Sequence, residues 1–483
     1  MNRPRVLVLV GLPVAALLIF ALIHPVSAGA TQPSLSSFKP LSLASTHRLL
    51  VIAPHSDDET LGAGGTILAA VRQGIEVRVV VATNGDGYVF ATMEEFRRVF
   101  PKASDFIRMG QVRQKESQAA LASLGVPADH VDFLSYPDRG TQVLWNRNWL
   151  TSNPYQSAYT GTSHSPYPLT YNPKAVYAGE DLLGDLRSIL HTYRPDLIIY
   201  PHPDDVHPDH WALSAFTRLA ISLEEHDDPA YRPEAIAYLV HRSDFPSPKE
   251  FLPDGILLPP LALYRISPDW IRFDLSHDDA MRKWKALQSY RSQMSFLREL
   301  FQGMVRRDEL FQQEDPVSLP TIASGDASDP TSWRDPAGRY IPPLQRDPSL
   351  DVAYRDAVPG SDLTSLYAGR LVGDELAVCL ETRGKTQKTL TYVMRTTAVT
   401  SAGVLQHVTR LSNQTPPTGL PLAAGQFVCD KVTLAGLGNP WEIFIGGEVR
   451  GPQVGVQFGV LDQFAWQQVT VEPVTTKAAP SSP

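Results

Sequence analysis

The sequence predicts an α/β fold: a Rossmann-like, mostly parallel sheet with helices on both faces, followed by a smaller C-terminal β-sandwich-like domain. Three observations carry that expectation. The run Leu49-Leu50-Val51-Ile52-Ala53 reads as a buried strand and leads into a Gly-rich turn and a helical stretch over 66–72. Further apolar runs at 77–82, 131–134, 197–200 and 235–240 are separated by stretches such as 111–124, whose Ala and Leu spacing is helical. Strands alternating with helices in this way give a parallel sheet covered on both sides. Beyond a Pro-, Asp- and Ser-rich stretch at 316–348, the segments at 375–380, 390–394, 427–434, 441–445 and 454–460 are short, β-rich and separated by Gly, Pro and Asn, as in a small sandwich.

With 483 residues, 43% of them hydrophobic and 19% charged, the chain can bury a large core and hold more than one domain. Arg3 and Arg5 precede an apolar run over 6–23 and then Val26-Ser27-Ala28, the three parts of a secretory signal. Residues 1–28 are therefore expected to be a signal peptide or, because about 20 apolar residues can span a bilayer, a membrane anchor. Both readings export the chain: secreted, in the cell envelope, or attached to the membrane through the N-terminal apolar segment with the catalytic domain outside the cytoplasm. Residues 29–46 read as a linker, 47–315 as the catalytic domain and 316–353 as a linker or long loop. Residues 354–474 read as a β-rich accessory domain suited to contact a glycan or a protein, and 475–483 as a disordered tail. The two cysteines, Cys379 and Cys429, are too few for a disulfide scaffold or a thiolate metal cage, and in an exported domain they can pair with each other. A net charge of −8 without a long basic run argues against nucleic acid as a partner.

The strongest local signal is Pro54-His55-Ser56-Asp57-Asp58-Glu59, directly after the first buried strand. Side chains there sit at the carboxyl end of a strand, where open α/β sheets bind ligands. Alone, such a turn reads rather as a solvated loop with a helix cap. A second cluster changes that, for Pro201-His202-Pro203-Asp204-Asp205-Val206-His207-Pro208-Asp209-His210 follows the strand at 197–200. Two imidazole-and-carboxylate clusters on loops at one sheet edge fit a three-ligand metal site with an open position.

These paired motifs resemble the zinc-dependent N-acetylglucosaminyl deacetylases related to the GPI-anchor deacetylase and the bacterial LmbE-like proteins (PIG-L / LmbE-like), over roughly 48–293. The family's first motif usually reads His-Pro-Asp-Asp-Glu and its second His-Pro-Asp-His. The resemblance implies His55, Asp58 and His210 as ligands of Zn2+, Asp57 as general base, and His207 as the histidine that stabilises the oxyanion or protonates the leaving amine. Ser56 stands where the family usually has Pro, which removes a φ constraint but no ligand atom. Arg113 and Glu116 resemble the family's Arg-x-x-Glu helix, in which the Arg contacts sugar hydroxyls, and read equally as an exposed Arg near a Glu on a helix face. Asp138, in Tyr136-Pro137-Asp138, matches a substrate-side loop, although Pro-Asp is also ordinary turn chemistry. Asn84-Gly85-Asp86-Gly87 resembles a structural polar turn. Lys285, Tyr290 and Gln293 match a late helix of the family but read rather as plain helix surface, and His202 reads as a structural histidine.

The implied reaction is metal-assisted hydrolysis of the linear amide of an N-acetylated sugar in a glycan, glycolipid or glycoconjugate, with Asp57 taking a proton from the attacking water. Two histidines and one carboxylate also suit Fe2+, so a non-haem iron enzyme is one alternative. A non-catalytic glycan-binding protein is another, supported by the extra β domain and opposed by the presence of Asp57.

Overall fold

The computed structural model describes residues 38–347, 358–411, 425–451 and 459–472. Eight strands build the larger sheet: β1 (Lys39–Pro40), β2 (Arg48–Ala53), β3 (Glu76–Thr83), β4 (Val131–Tyr136), β5 (Leu197–Pro201), β6 (Glu234–Tyr238), β7 (Trp270–Asp274) and β8 (Asp308–Gln312). Their order is β1-β7-β8-β6-β5-β2-β3-β4. All pairings from β4 across to β6 are parallel, while β8 runs antiparallel to both β6 and β7. The helices are α1 (Asp58–Arg72), α2 (Val89–Glu95), α3 (Ala103–Ser123), α4 (Thr141–Asn146), α5 (Gly179–Tyr193), α6 (Pro208–Asp227), α7 (Leu261–Ile266), α8 (His277–Leu287) and α9 (Arg291–Gly303).

Side chains alternate along the strands, so Leu49, Val51, Val79 and Val81 pack with residues of α1, α3 and α8. Leu50, Ile52 and Val80 pack on the other face with α5 and α6. The chain reverses its direction of travel across the sheet between β2 and β5. The loops leaving those two strands therefore part in opposite directions, and a crevice opens at their carboxyl ends.

The strands predicted for the larger sheet occur at nearly the predicted places, but the glycines after β2 do not form a turn. Gly62, Gly64 and Gly65 lie inside α1, which begins already at Asp58. An added Cβ at Gly62 would stand 2.3 Å from Tyr238 Cδ2, and one at Gly65 2.3 Å from Leu275 Cδ1. Close approach of backbone to side chain is thus the reason for glycine here. The buried Lys283 ammonium ties down the same helix, donating to Leu61 O (2.7 Å) and to Glu309 Oε1 (2.8 Å). Glu309 in turn accepts the N–H groups of Gly65 and Thr66.

The described parts of two expected linkers carry short strands. Within 29–46, β1 pairs in parallel with β7. Within 316–353, β9 (Val317–Ser318), β10 (Thr321–Ile322) and β11 (Gln345–Arg346) join the C-terminal strands β12 (Leu363–Leu371), β13 (Glu375–Thr382), β14 (Thr391–Thr400), β15 (Gly403–Leu411), β16 (Phe427–Thr433), β17 (Glu442–Arg450) and β18 (Val460–Thr470). One sheet has the order β10-β12-β13-β16, with β11 on β12, and the other the order β15-β14-β17-β18-β9. A Pro- and Asp-rich composition hid these pairings because two-residue strands carry no readable period. The two sheets share one apolar cluster, with Leu366 and Leu380 from the first and Met394 and Ile445 from the second. Cys379 and Cys429 face each other across β13 and β16 and form a disulfide. The N-terminal apolar segment, the C-terminal tail and all but the end of the strand expected at 454–460 lie outside the described residues.

The second C-terminal sheet does not stand apart from the larger domain. Val399, Phe444 and Trp466 belong to the same buried cluster as Trp145, Trp211 and Phe216. The Trp466 indole N–H donates to Trp211 O (3.1 Å), Arg218 to Gln468 Oε1 (3.0 Å), and the Ser222 hydroxyl to Glu442 Oε2 (2.6 Å). Helix α6 is consequently buried on nearly all sides, between the parallel sheet and the C-terminal one. Trp466→Ala is expected to destabilise the whole chain by about 3–5 kcal/mol, the usual cost of deleting a buried aromatic ring. Urea unfolding would show it as a lower midpoint for the larger domain as well, and a shift confined to the β region would contradict the shared core.

Candidate metal centre and active site

Three segments converge on the crevice. The β2–α1 turn supplies His55, Asp57 and Asp58, the β5–α6 turn supplies Asp205, His207, Asp209 and His210, and His241 follows β6. The Asp58 carboxylate lies among the imidazoles: its Oδ2 is 3.0 Å from His55 Nδ1 and 3.0 Å from His210 Nε2, and its Oδ1 is 3.6 Å from His241 Nε2. Ligand atoms of His55, Asp58, His210 and His241 all fall within 4.8 Å of one another. Burial alone would push Asp58 up, but His210, His241 and His55 overrule it and hold the carboxyl well below its ordinary range. Burial would likewise lower His210, yet Asp205 and Asp58 hold that imidazole up, to about 9.

These atoms fit a divalent cation. Asp58 Oδ1 and both ring nitrogens of His210 are buried without a well-directed hydrogen bond, although carboxylate oxygens stand close to those nitrogens. Buried polar atoms left in that condition in a pocket of imidazoles and carboxylates are what an ion would complete. A second overlapping set, His55, His207 and Asp209, also lies within one ion's reach. Asp209 is already engaged there, accepting from the N–H groups of Arg139 and Thr141 and from the Thr141 hydroxyl.

Sequence reasoning missed three residues of this centre. Asp205 Oδ2 stands 3.0 Å from His210 Nδ1 and accepts the N–H groups of Val240 and His241, so it orients one imidazole while fixing the loop that carries another. Such carboxylate–histidine pairs set ring orientation and ligand basicity. Its signal was present, an Asp five residues before His210 in the same motif. His241 had only its place after a predicted strand, and Asp209 was hidden inside the motif as a spacer. Asp205→Ala is expected to weaken zinc binding about 10- to 100-fold. Competition with a chromogenic chelator measures this, and unchanged affinity would remove Asp205 from the centre.

Asp57 sits differently from Asp58. Its backbone has φ 135° and ψ −31°, a conformation that non-glycine residues rarely adopt and that is held only where surroundings enforce it. Here its N–H donates to Glu59 Oε2 (2.9 Å), while Glu59 Oε1 is held by the Ser117 and Tyr290 hydroxyls, each at 2.6 Å. Tyr290, read from sequence as late-helix surface, is fully buried for this reason, and the buried lysine of that region is Lys283 rather than Lys285. Burial pushes the Asp57 carboxyl well above its ordinary range; Arg113 opposes the shift, and Asp58 and Glu59 add to it.

Arg113 is buried, and its guanidinium donates to Gly85 O (2.9 Å), Ser56 O (2.8 Å) and Asp57 Oδ2 (3.2 Å). Gly85 has φ 61°, and a Cβ there would collide with Arg113 Nη1, which accounts for glycine in that polar turn. Glu116 turns away from Arg113 and accepts from Ser292. Asp138 accepts the Gly87 N–H with Oδ2 (2.7 Å) and brings Oδ1 to 3.4 Å from His55 Nε2. His207 is the N-cap of α6, and its Nδ1 accepts the Asp209 N–H (3.3 Å). That bond leaves Nε2 to carry the proton of a neutral ring. Burial, reinforced by the neighbouring imidazoles, pushes His207 down, so the neutral form is favoured. His202 is buried, bonded to Gln312 and stacked on Trp270, a structural role.

Residues 50–221 match the family model PIG-L, GlcNAc-PI de-N-acetylase. Among curated proteins, 1D-myo-inositol 2-acetamido-2-deoxy-alpha-D-glucopyranoside deacetylase of Mycobacterium sp. (strain KMS) is 31% identical over 207 residues, covering 42% of this chain and 57% of that protein. The protein of the same name from Actinosynnema mirum is 30% identical over 176 residues, covering 34% and 53%. The chain thus spans little more than half the length of these relatives. Among solved structures, N,N'-diacetylchitobiose deacetylase from Pyrococcus horikoshii aligns with 19% identity and a TM-score of 0.35, over 56% of this chain and 84% of that one. The resemblance read from the paired motifs is thus matched by a family model over residues 50–221.

Proposed function

We propose that this PIG-L domain is a metal-dependent N-deacetylase that hydrolyses the acetamido group of an N-acetylated sugar within a glycan, glycolipid or glycoconjugate. The observation that carries the reading is the division between two adjacent aspartates: Asp58 is surrounded by imidazoles, while Asp57 faces Arg113 and burial raises its carboxyl well above the ordinary range. His55, Asp58 and His210 would hold the ion, with His241 within reach as a further donor. Zinc suits these donors, and Fe2+ is compatible with the same set. A divalent ion there supplies Lewis acidity and makes a water acidic near neutral pH. Asp57 takes the proton of the attacking water, a task that its raised pKa suits. The Nε2–H of neutral His207 donates to the oxyanion as the carbonyl carbon becomes tetrahedral. Protonated Asp57 then returns that proton to the departing amine as the C–N bond breaks and acetate forms. Arg113 holds the Ser56 carbonyl and the Asp57 carboxylate in register, and Asp138 stands on the substrate side of His55.

We further propose that the chain works outside the cytoplasm. The basic, apolar and small-residue sequence of its first 28 residues supports this, as does the Cys379–Cys429 disulfide, because such bonds persist in oxidising compartments. The C-terminal β region is proposed as a sandwich-like accessory unit that buttresses α6. The test of activity is release of acetate from N-acetylglucosamine and its oligomers by zinc-loaded protein. Absence of acetate with the metal site filled would favour a binding protein.

A further inference from the structure

Helix α2 grows directly out of the rim of the site. Gly87, two residues before it, gives its N–H to Asp138, whose other oxygen faces His55, and Tyr88 caps the helix. Along α2 and the facing α9 lies a ledge of aromatic rings. Tyr88 meets Phe296 with centroids 5.8 Å apart, and Phe90 meets Phe296 at 6.3 Å. Phe90 is 58% exposed and Phe296 45% exposed. Beside the ledge, a cleft of about 480 Å³ is lined by Glu94, Glu95, Arg97, Arg291, Ser292 and Ser295. Its volume falls in the range of roughly 300–1,000 Å³ that small-molecule sites occupy. At seven residues, α2 is only about 10 Å long, so the cleft lies within reach of one ligand that also enters the catalytic crevice.

We propose that this ledge and cleft bind the non-reacting sugar units of an extended glycan whose acetylated unit sits at His55, Asp57 and Asp58. The proposal rests on the deacetylase reading and narrows its substrate class. Lining chemistry decides the occupant. A hydrocarbon chain would gain nothing from a cleft walled by four charged side chains and two hydroxyls, and it would strip them of water. A sugar presents apolar C–H faces to the exposed rings and hydroxyls to carboxylates, guanidinium groups and serines. Binding energy from such remote units can be used at the reacting centre, so the effect belongs in kcat/KM for long substrates.

Acetate release would be compared for N-acetylglucosamine and its tetramer, using full-length wild type, Phe90→Ala and Phe296→Ala. Both rings are solvent-exposed, and neither touches the catalytic groups, so these variants should fold. The wild type is expected to favour the tetramer in kcat/KM, and each variant to lose about tenfold on the tetramer, the scale of one or two aromatic contacts, while acting on the monomer as wild type does. Equal kcat/KM for monomer and tetramer in wild type, or equal losses on both substrates in the variants, would overturn the ledge. An acylated N-acetylglucosaminyl lipid preferred over the tetramer and lost in the variants would overturn the glycan in favour of a lipid. If no substrate yields acetate, the deacetylase reading fails instead. Calorimetric binding of the tetramer still tests the ledge in that case: weaker binding by the variants supports it, and identical or absent binding sinks it.

Discussion

His55→Ala, Asp58→Ala and His210→Ala are each expected to leave the protein nearly free of zinc after dialysis against a weak chelator, under conditions that leave the wild type loaded. Asp58 is the most severe case. It is the one carboxylate shared among His55, His210 and His241, and its removal leaves the buried His55 and His210 rings and the partly buried His241 ring without their central anion. Breaking a buried ionic cluster in this way costs about 3–5 kcal/mol, which corresponds to roughly two to three and a half decades of affinity. His210→Ala also frees Asp205, whose carboxylate would keep its backbone partners at Val240 and His241. The loop should therefore survive in that variant, and the loss should be confined to the metal. Elemental analysis gives the readout, and full occupancy in any one of the three would remove that residue from the ligand set.

The paired clusters were legible because each follows a strand whose apolar run is unmistakable, and because a parallel sheet must bring the carboxyl ends of such strands to one edge. What stayed hidden was set by tertiary contacts that leave no local period. Strand β8 reads Asp308-Glu309-Leu310-Phe311-Gln312, more polar than apolar, yet all five residues are buried. Glu309 is there to receive Lys283 and two amides of α1, a pairing across the fold that no window of sequence displays. The glycines of α1 misled for a related reason. Glycine usually signals a turn, but here it admits Tyr238 and Leu275 against the helix that presents Asp58. Arg113 was found through resemblance, and its contact with Asp57 and the loop carbonyls came only from the structure. The C-terminal strands were legible as strands, whereas their burial of α6 was not, since an all-round apolar helix does not name its partner.

Asp57→Asn is expected to keep the metal and lose the reaction. Asparagine preserves the volume of the side chain, can still accept from Arg113 with its amide oxygen, and is among the non-glycine residues that best tolerate positive φ, so the strained turn at φ 135° should persist. Only the capacity to take a proton disappears. General-base contributions are about 10²- to 10⁴-fold, or roughly 3–5 kcal/mol of barrier, and the loss should appear in kcat with KM little changed. Asp58→Asn makes the contrast. Its amide oxygen is a neutral and weaker ligand, and its amide N–H₂ would face imidazole nitrogens that now meet a carboxylate, so zinc and rate should fall together. The two variants thus separate holding the ion from moving the proton, although their sites are consecutive in the chain. Should Asp57→Asn turn over at near-wild-type kcat with saturating zinc, Asp57 would not be the base and the division of labour between the two aspartates would be wrong.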